Sequence, residues 1–173
     1  MKTAAPRPQQ ILLPVKAIHI AFTFTVALTL NLLPLSGVAR WVRPDFVALL
    51  VLYWSFQQPH RFGMTLAWVL GLVMDVAYGT LFGQHALVYS VIAFAGFVLH
   101  RRLRMFGLVA QFWHVLPILL LAQSLLAVLA MAKGGIFPGW EYFLGGVIGA
   151  LLWVPMSVLL RLPRVPKSDP DQV

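Results

Sequence analysis

Residues 71–85 read GLVMDVAYGTLFGQH, a single carboxylate, Asp75, set in an apolar run with glycine at 71, 79 and 83. What that carboxylate costs depends on the solvent around it, and the rest of the chain identifies the solvent. The 173 residues are 60% hydrophobic and 10% charged, against about 25% charged in an ordinary soluble domain, and the mean hydropathy is +0.84. The apolar residues form several long blocks with short polar breaks, the pattern of a chain that crosses a bilayer repeatedly.

Working outward from Asp75, the runs at 62–78 and 85–99 predict a tight helical hairpin of a short third and fourth helix, turning at 79–84. Upstream, 17–33 is an apolar first helix with a basic front flank, read as uncleaved because everything after it is also membrane-embedded. At Arg43, Pro44 and Asp45 a second helix begins, with Pro44 suited to the first helical position and Asp45 to the positive helix end. That helix runs to about Phe56 and stops at 57–61, because the residue before Pro59 is pushed out of helical geometry. Downstream, HRRLR at 100–104 is a basic loop, 108–132 is a long span that Pro117 should kink, 133–139 is a turn and 142–160 is the last span.

The expected fold class is therefore an all-α polytopic membrane protein of six transmembrane helices. It has a cytoplasmic tail at 1–15, a single six-helix domain at 16–162 and a second cytoplasmic tail at 163–173. The short second and fourth runs leave five spans, or a re-entrant segment, as the alternative. Placing both termini, loop 2–3 and loop 4–5 in the cytoplasm puts ten of the 13 Lys and Arg inside and leaves Arg40, Arg43 and Lys133 outside, as the positive-inside rule requires.

The net charge of +8 lies at the ends of apolar blocks and forms no basic stripe interleaved with aromatics, so it indicates topology and anionic lipid, and no nucleic acid. There is no cysteine, hence no disulfide framework and no thiolate metal site. The five histidines have no second His or acid three or four residues away, so no helix-borne metal site is expected. No nucleophile elbow, HExxH pair or phosphate-binding glycine loop occurs; the expectation is no enzyme and no cofactor. Gly145, Gly146 and Gly149 suit close helix packing inside the chain more than homodimerisation. Trp41, Trp54, Trp113 and Trp140 read as interfacial belt residues, and Gln123 and Ser124 as hydrogen-bonding partners of a neighbouring helix.

The series RPDFVALLVLYW at 43–54, PHR at 59–61, Gly71 with Asp75, then Gly79 and GQHAL at 83–87 resembles the rod shape-determining MreD family. GALLWVP at 149–155 is similar to the family's last span, with Val154 between Trp and Pro. The resemblance marks Arg43, Pro44, Asp45, Tyr53, Trp54, Pro59, His60, Arg61, Gly71, Asp75, Gly79 and Gly83 as partner-binding or structural positions. It implies a multi-pass scaffold of the bacterial inner membrane. Such a scaffold binds MreC directly and reaches MreB, RodA and a penicillin-binding transpeptidase through the elongation complex, supporting cell shape and lateral peptidoglycan synthesis, with self-association inside that complex open. The resemblance further implies a fold similar to that of the six-helix substrate-binding S-components, and the alternative function is the substrate-binding subunit of an energy-coupling-factor vitamin transporter. For Asp75 the expectation is a latch that holds the third and fourth helices, with a proton-relay role as the alternative. Gly71, Asp75, Gly79 and Gly83 fall on one helical face at a four-residue step, and the carboxylate accepts N–H groups freed where the helix loosens or where the fourth helix starts near Gln84 and His85.

Overall fold

The computed structural model describes residues 17–59 and 62–161, excluding the side chains at 40, 41 and 102–104. The two tails, and His60 and Arg61 of the PHR turn, lie outside the described residues. The described chain is all helical: α1 (Ala17–Leu32), a short α2 (Val38–Val42), α3 (Phe46–Gln57), α4 (Met64–Tyr78), α5 (Gln84–Met105), α6 (Leu108–Met131), a 3-10 turn (Trp140–Phe143) and α7 (Leu144–Arg161).

The organising element is α3. A helix that is apolar on every side must be enclosed by its neighbours, and every residue of α3 from Val47 to Phe56 is buried. α1 and α5 pack on it directly, α4 folds back on α5, and α6 joins α5 to α7. At the centre, Tyr53 meets Trp54 and Trp153 edge-on at 5.4 and 6.0 Å between ring centroids. Around this core the outward surface is apolar as well. On α1 Ile18, Phe22, Val26 and Leu30 are exposed at a four-residue step, so one continuous stripe faces outward.

α6 and α7, the latter taken with its leading 3-10 turn, are long and apolar enough to cross a membrane, while α1, α3 and α4 are shorter apolar helices. Close approach between helices comes from glycine. A Cβ on Gly71 would overlap the backbone of Ala86, joining α4 to α5, and one on Gly96 would lie 2.9 Å from Ser55 Cβ, joining α5 to α3. A Cβ on Gly145 would lie 2.8 Å from the Arg43 carbonyl, and one on Gly149 3.4 Å from Pro44 Cβ, so these glycines serve intramolecular packing as expected.

Several sequence expectations need correction. α3 starts two residues late: Asp45 is the N-cap and Pro44 stands just before it, so Pro44 is outside the first turn. The 22-residue α5 continues through 100–104, so the basic cluster is helical and the fourth helix is not short. The main chain follows the apolar pattern for four turns and then simply carries on, since HRRLR contains no helix breaker before Gly107. Trp54 is fully buried and donates to Thr23 Oγ1 at 3.2 Å, so it is a core residue and not a belt residue; Trp113 and Trp140 are 70% and 81% exposed, and the Trp41 side chain lies outside the described residues. Ser124 donates to Leu120 of its own helix at 2.8 Å. Gln123 does reach a neighbouring element, donating to the Tyr142 carbonyl at 3.1 Å.

Candidate functional site: a polar network and a cleft at one end of the bundle

The end of α4 explains how Asp75 is placed. Gly79 takes a left-handed conformation, φ 61°, which only glycine adopts without strain. The Thr80 N–H then bonds the Asp75 carbonyl at 3.0 Å and the Gly79 N–H bonds the Val76 carbonyl at 3.2 Å, the paired closure of a Schellman C-cap. The chain returns through Gly83, φ 97°, and enters α5.

The first N–H groups of a helix lack intrahelical partners and carry the positive end of its dipole. α5 has no acidic residue in its first turn, and Asp75 supplies the carboxylate from α4 instead. Its Oδ2 accepts the Gly83 N–H at 2.8 Å. Its Oδ1 accepts the His85 N–H at 2.8 Å, the Thr80 hydroxyl at 2.9 Å and the His85 ring Nδ1 at 2.8 Å. Asp75 is fully buried, and a buried carboxylate is tolerated when its lone pairs are taken up in this way. The latch geometry is therefore present, by a route other than a shared helical face. Gly71 alone of the three glycines sits on the α4 surface against α5, while Gly79 and Gly83 lie beyond the helix end and act through backbone conformation.

A second carboxylate closes the neighbouring corner. Asp45 caps α3 by accepting the Ala48 N–H at 3.0 Å, and the same oxygen accepts the Asn31 amide at 2.8 Å. Asn31 in turn accepts the Phe46 N–H at 3.0 Å, so the last turn of α1 is stitched to the first turn of α3. Tyr89 donates to the other Asp45 oxygen at 2.7 Å and its ring meets the His85 ring at 6.0 Å. Arg43 donates to the Leu33 carbonyl at 2.8 Å and to the Tyr78 hydroxyl at 3.4 Å; Tyr78 donates to the Asn31 carbonyl at 3.0 Å. One network thus joins α1, α3, α4 and α5.

Beside it opens a cleft of about 550 Å³, walled by α3, α5, α6 and α7, within the range of roughly 300–1,000 Å³ typical of ligand sites. Arg43, Asp45, Tyr78, Gln84, Gln123 and Tyr142 contribute its polar lining; Leu49, Ile92 and Leu119 contribute apolar wall. Gln84 spans from α5 to α6, donating to the Leu126 carbonyl at 3.2 Å and accepting from Lys133 Nζ at 2.8 Å.

Of the positions marked in the sequence, Arg43, Pro44, Asp45, Gly71, Asp75, Gly79 and Gly83 converge on this end. Tyr53 and Trp54 lie in the core, and Pro59 follows the far end of α3. Sequence reasoning missed Asn31, Thr80 and Tyr89 and named His85 only as a helix start. An amide alone in the apolar run of α1 was a usable signal for Asn31, and Tyr89 four residues after His85 shares its helical face. Among the described residues no group of three or more His, Asp or Glu could hold a metal ion. The Asp75 carboxylate oxygens are taken up by the Gly83 and His85 N–H groups, the Thr80 hydroxyl and the His85 ring.

The family model for the rod shape-determining protein MreD matches residues 14–163. A curated relative, the rod shape-determining protein MreD of Haemophilus influenzae (strain ATCC 51907 / DSM 11121 / KW20 / Rd), is 27% identical over 141 residues, covering 82% of this chain and 87% of its own length. No solved structure matches the chain, and the vitamin-transporter alternative gains no support from these comparisons. On the extent of the family match, the chain belongs to the MreD family of rod shape-determining membrane proteins.

Proposed function

We propose that this protein is an integral inner-membrane scaffold of the bacterial elongation complex. It binds MreC directly, and through it MreB, RodA and the penicillin-binding transpeptidase, in support of lateral peptidoglycan synthesis. Family membership supports the reading, and one structural observation carries it. Among the described residues, the network around Asp45 and Asp75 locks four helices together at one end, as a docking platform requires.

In this reading α1, α3, α4, α5, α6 and α7 are six spans of one domain at 16–162, with both tails cytoplasmic and the Asp45–Asp75 end facing outward. α3, 12 residues long, is about 18 Å and falls short of the roughly 30 Å hydrocarbon core; enclosure by its neighbours removes the need to span it alone. Arg43, Pro44 and Asp45 form the part of the platform that contacts MreC. The test is recovery of MreC with the purified protein. Asp45→Asn lowers recovery while the protein level stays unchanged if Asp45 belongs to the contact surface, whereas a parallel fall in both assigns it to folding alone. Depletion rounds rod-shaped cells if the scaffold reading holds; intact shape with lost vitamin uptake would overturn it.

A further inference from the structure

The cleft has a polarity gradient along its length. On α6 its wall runs from Leu119 to Ala130, twelve residues or about 16 Å of helix. Of its lining residues, Leu49, Ile92, Leu119 and Ala122 are buried, whereas Tyr78 and Ile136 are exposed; we take the buried set as the deep end and the exposed set, with Arg43 and Gln84 beside it, as the mouth. Among the lining residues Gln123 carries a buried side-chain oxygen, Oε1, without a partner. An extended peptide entering here would leave a series of backbone N–H and C=O groups unpaired at a cost of several kcal/mol each. A hydrocarbon chain carries no such groups.

The charges at the mouth specify the other end of the occupant. Asp45 is already engaged by the Asn31 amide, the Ala48 N–H and the Tyr89 hydroxyl. Arg43 gives one bond to Leu33 and one to Tyr78, out of five N–H donors. Lys133 gives one to Gln84, out of three. Glu141, in the 3-10 turn, is exposed, with its carboxylate over Gly139, and like Lys133 it is not itself a lining residue. Arg43 lines the cleft and Lys133 is bonded to the lining residue Gln84, so two of the three basic residues that the charge rule leaves on the outer side stand at this end of the bundle with donors to spare. Guanidinium and ammonium groups presented in this way match a phosphate.

From the gradient and the paired cations we infer that the cleft is a lipid-phosphate site: one hydrocarbon chain lies along α6 and the phosphate head rests between Arg43 and Lys133. The outward orientation of the mouth follows the six-span placement proposed above, but binding itself does not depend on that placement or on any partner. A membrane phospholipid and a polyprenyl phosphate share this chemistry.

The test is native mass spectrometry of the whole protein in mild detergent, titrated separately with palmitoyl-oleoyl phosphatidylglycerol, the phosphatidylcholine of the same chains, and undecaprenyl phosphate. At least one anionic lipid should bind on the order of tenfold more tightly than phosphatidylcholine, the scale of one or two charge-assisted contacts at a half-exposed mouth. Whichever anionic lipid binds more tightly identifies the source. Arg43→Gln with Lys133→Gln should abolish the preference; Ala127→Leu, which adds bulk to the wall, should weaken every lipid and leave the preference intact. Both variants are compared at equal helical content and melting temperature. Equal binding of all three lipids, or binding unchanged in both variants, overturns the site. So does a photo-crosslinker at Ala130 that, in native membranes, captures a protein segment in place of lipid, which would give the cleft to a partner.

Discussion

Replacing Asp75 probes the join between α4 and α5 at one atom pair. In Asp75→Leu the Gly83 and His85 N–H groups, the Thr80 hydroxyl and the His85 ring all lose their acceptor. Each buried donor left unpaired costs about 1–3 kcal/mol, and breaking a buried ionic contact by removing one partner costs about 3–5 kcal/mol in all. In Asp75→Asn the amide oxygen can keep the Oδ1 set while the new NH₂ faces the Gly83 N–H, so one bond is lost, about 1–3 kcal/mol. Local opening shows in amide exchange, where about 1.4 kcal/mol is tenfold. Exchange at 83–86 should therefore accelerate by roughly 10² to 10³ in the Leu variant and about tenfold in the Asn variant, while the centre of α3 is unaffected. MreC recovery should follow the same order. Equal exchange in both variants and the parent would refute the capping role. Normal exchange and normal MreC binding with complete loss of cell shape in both would mean that the charge itself is used.

Gly71→Ala should lower the melting temperature in detergent through an overpacking cost of about 1–3 kcal/mol, because the new methyl meets the Ala86 backbone, whereas Gly63→Ala, which faces open space, should not; equal melting would place α4 farther from α5. Tyr89→Phe removes the donor to Asp45 and should destabilise by about 1–2 kcal/mol, read as faster amide exchange at the start of α3, with unchanged exchange counting against the bridge. Alkaline phosphatase should be inactive when fused at the C-terminus and active when fused after Lys133, and the reverse pattern would refute six spans.

Much of the helix order was legible because lipid-compatible segments must be apolar along their whole length and Gly, Pro and charge mark where they stop. The six main helices lie where the apolar blocks lie, and the Gly79 turn follows from glycine's freedom at positive φ. Burial was less legible. An apolar side chain is equally at home against lipid or in the core, so hydropathy placed Trp54 in an interfacial belt, and only packing put it on Thr23. The extent of α5 was hidden for a related reason: charge marks the end of an apolar block, not of a helix, so HRRLR reads as a loop although nothing in it breaks hydrogen bonding. At the functional end, sequence identified the two carboxylates, each chemically out of place in its surroundings. Their partners are set by helices that meet 14 and 44 residues apart, as in Asn31 with Asp45 and Tyr89 with Asp45. The cleft is likewise a property of the fold. Arg43, which lines it, and Lys133, bonded to its lining residue Gln84, are ninety residues apart in the chain, and only the crossing of the helices brings them to the same end of the bundle.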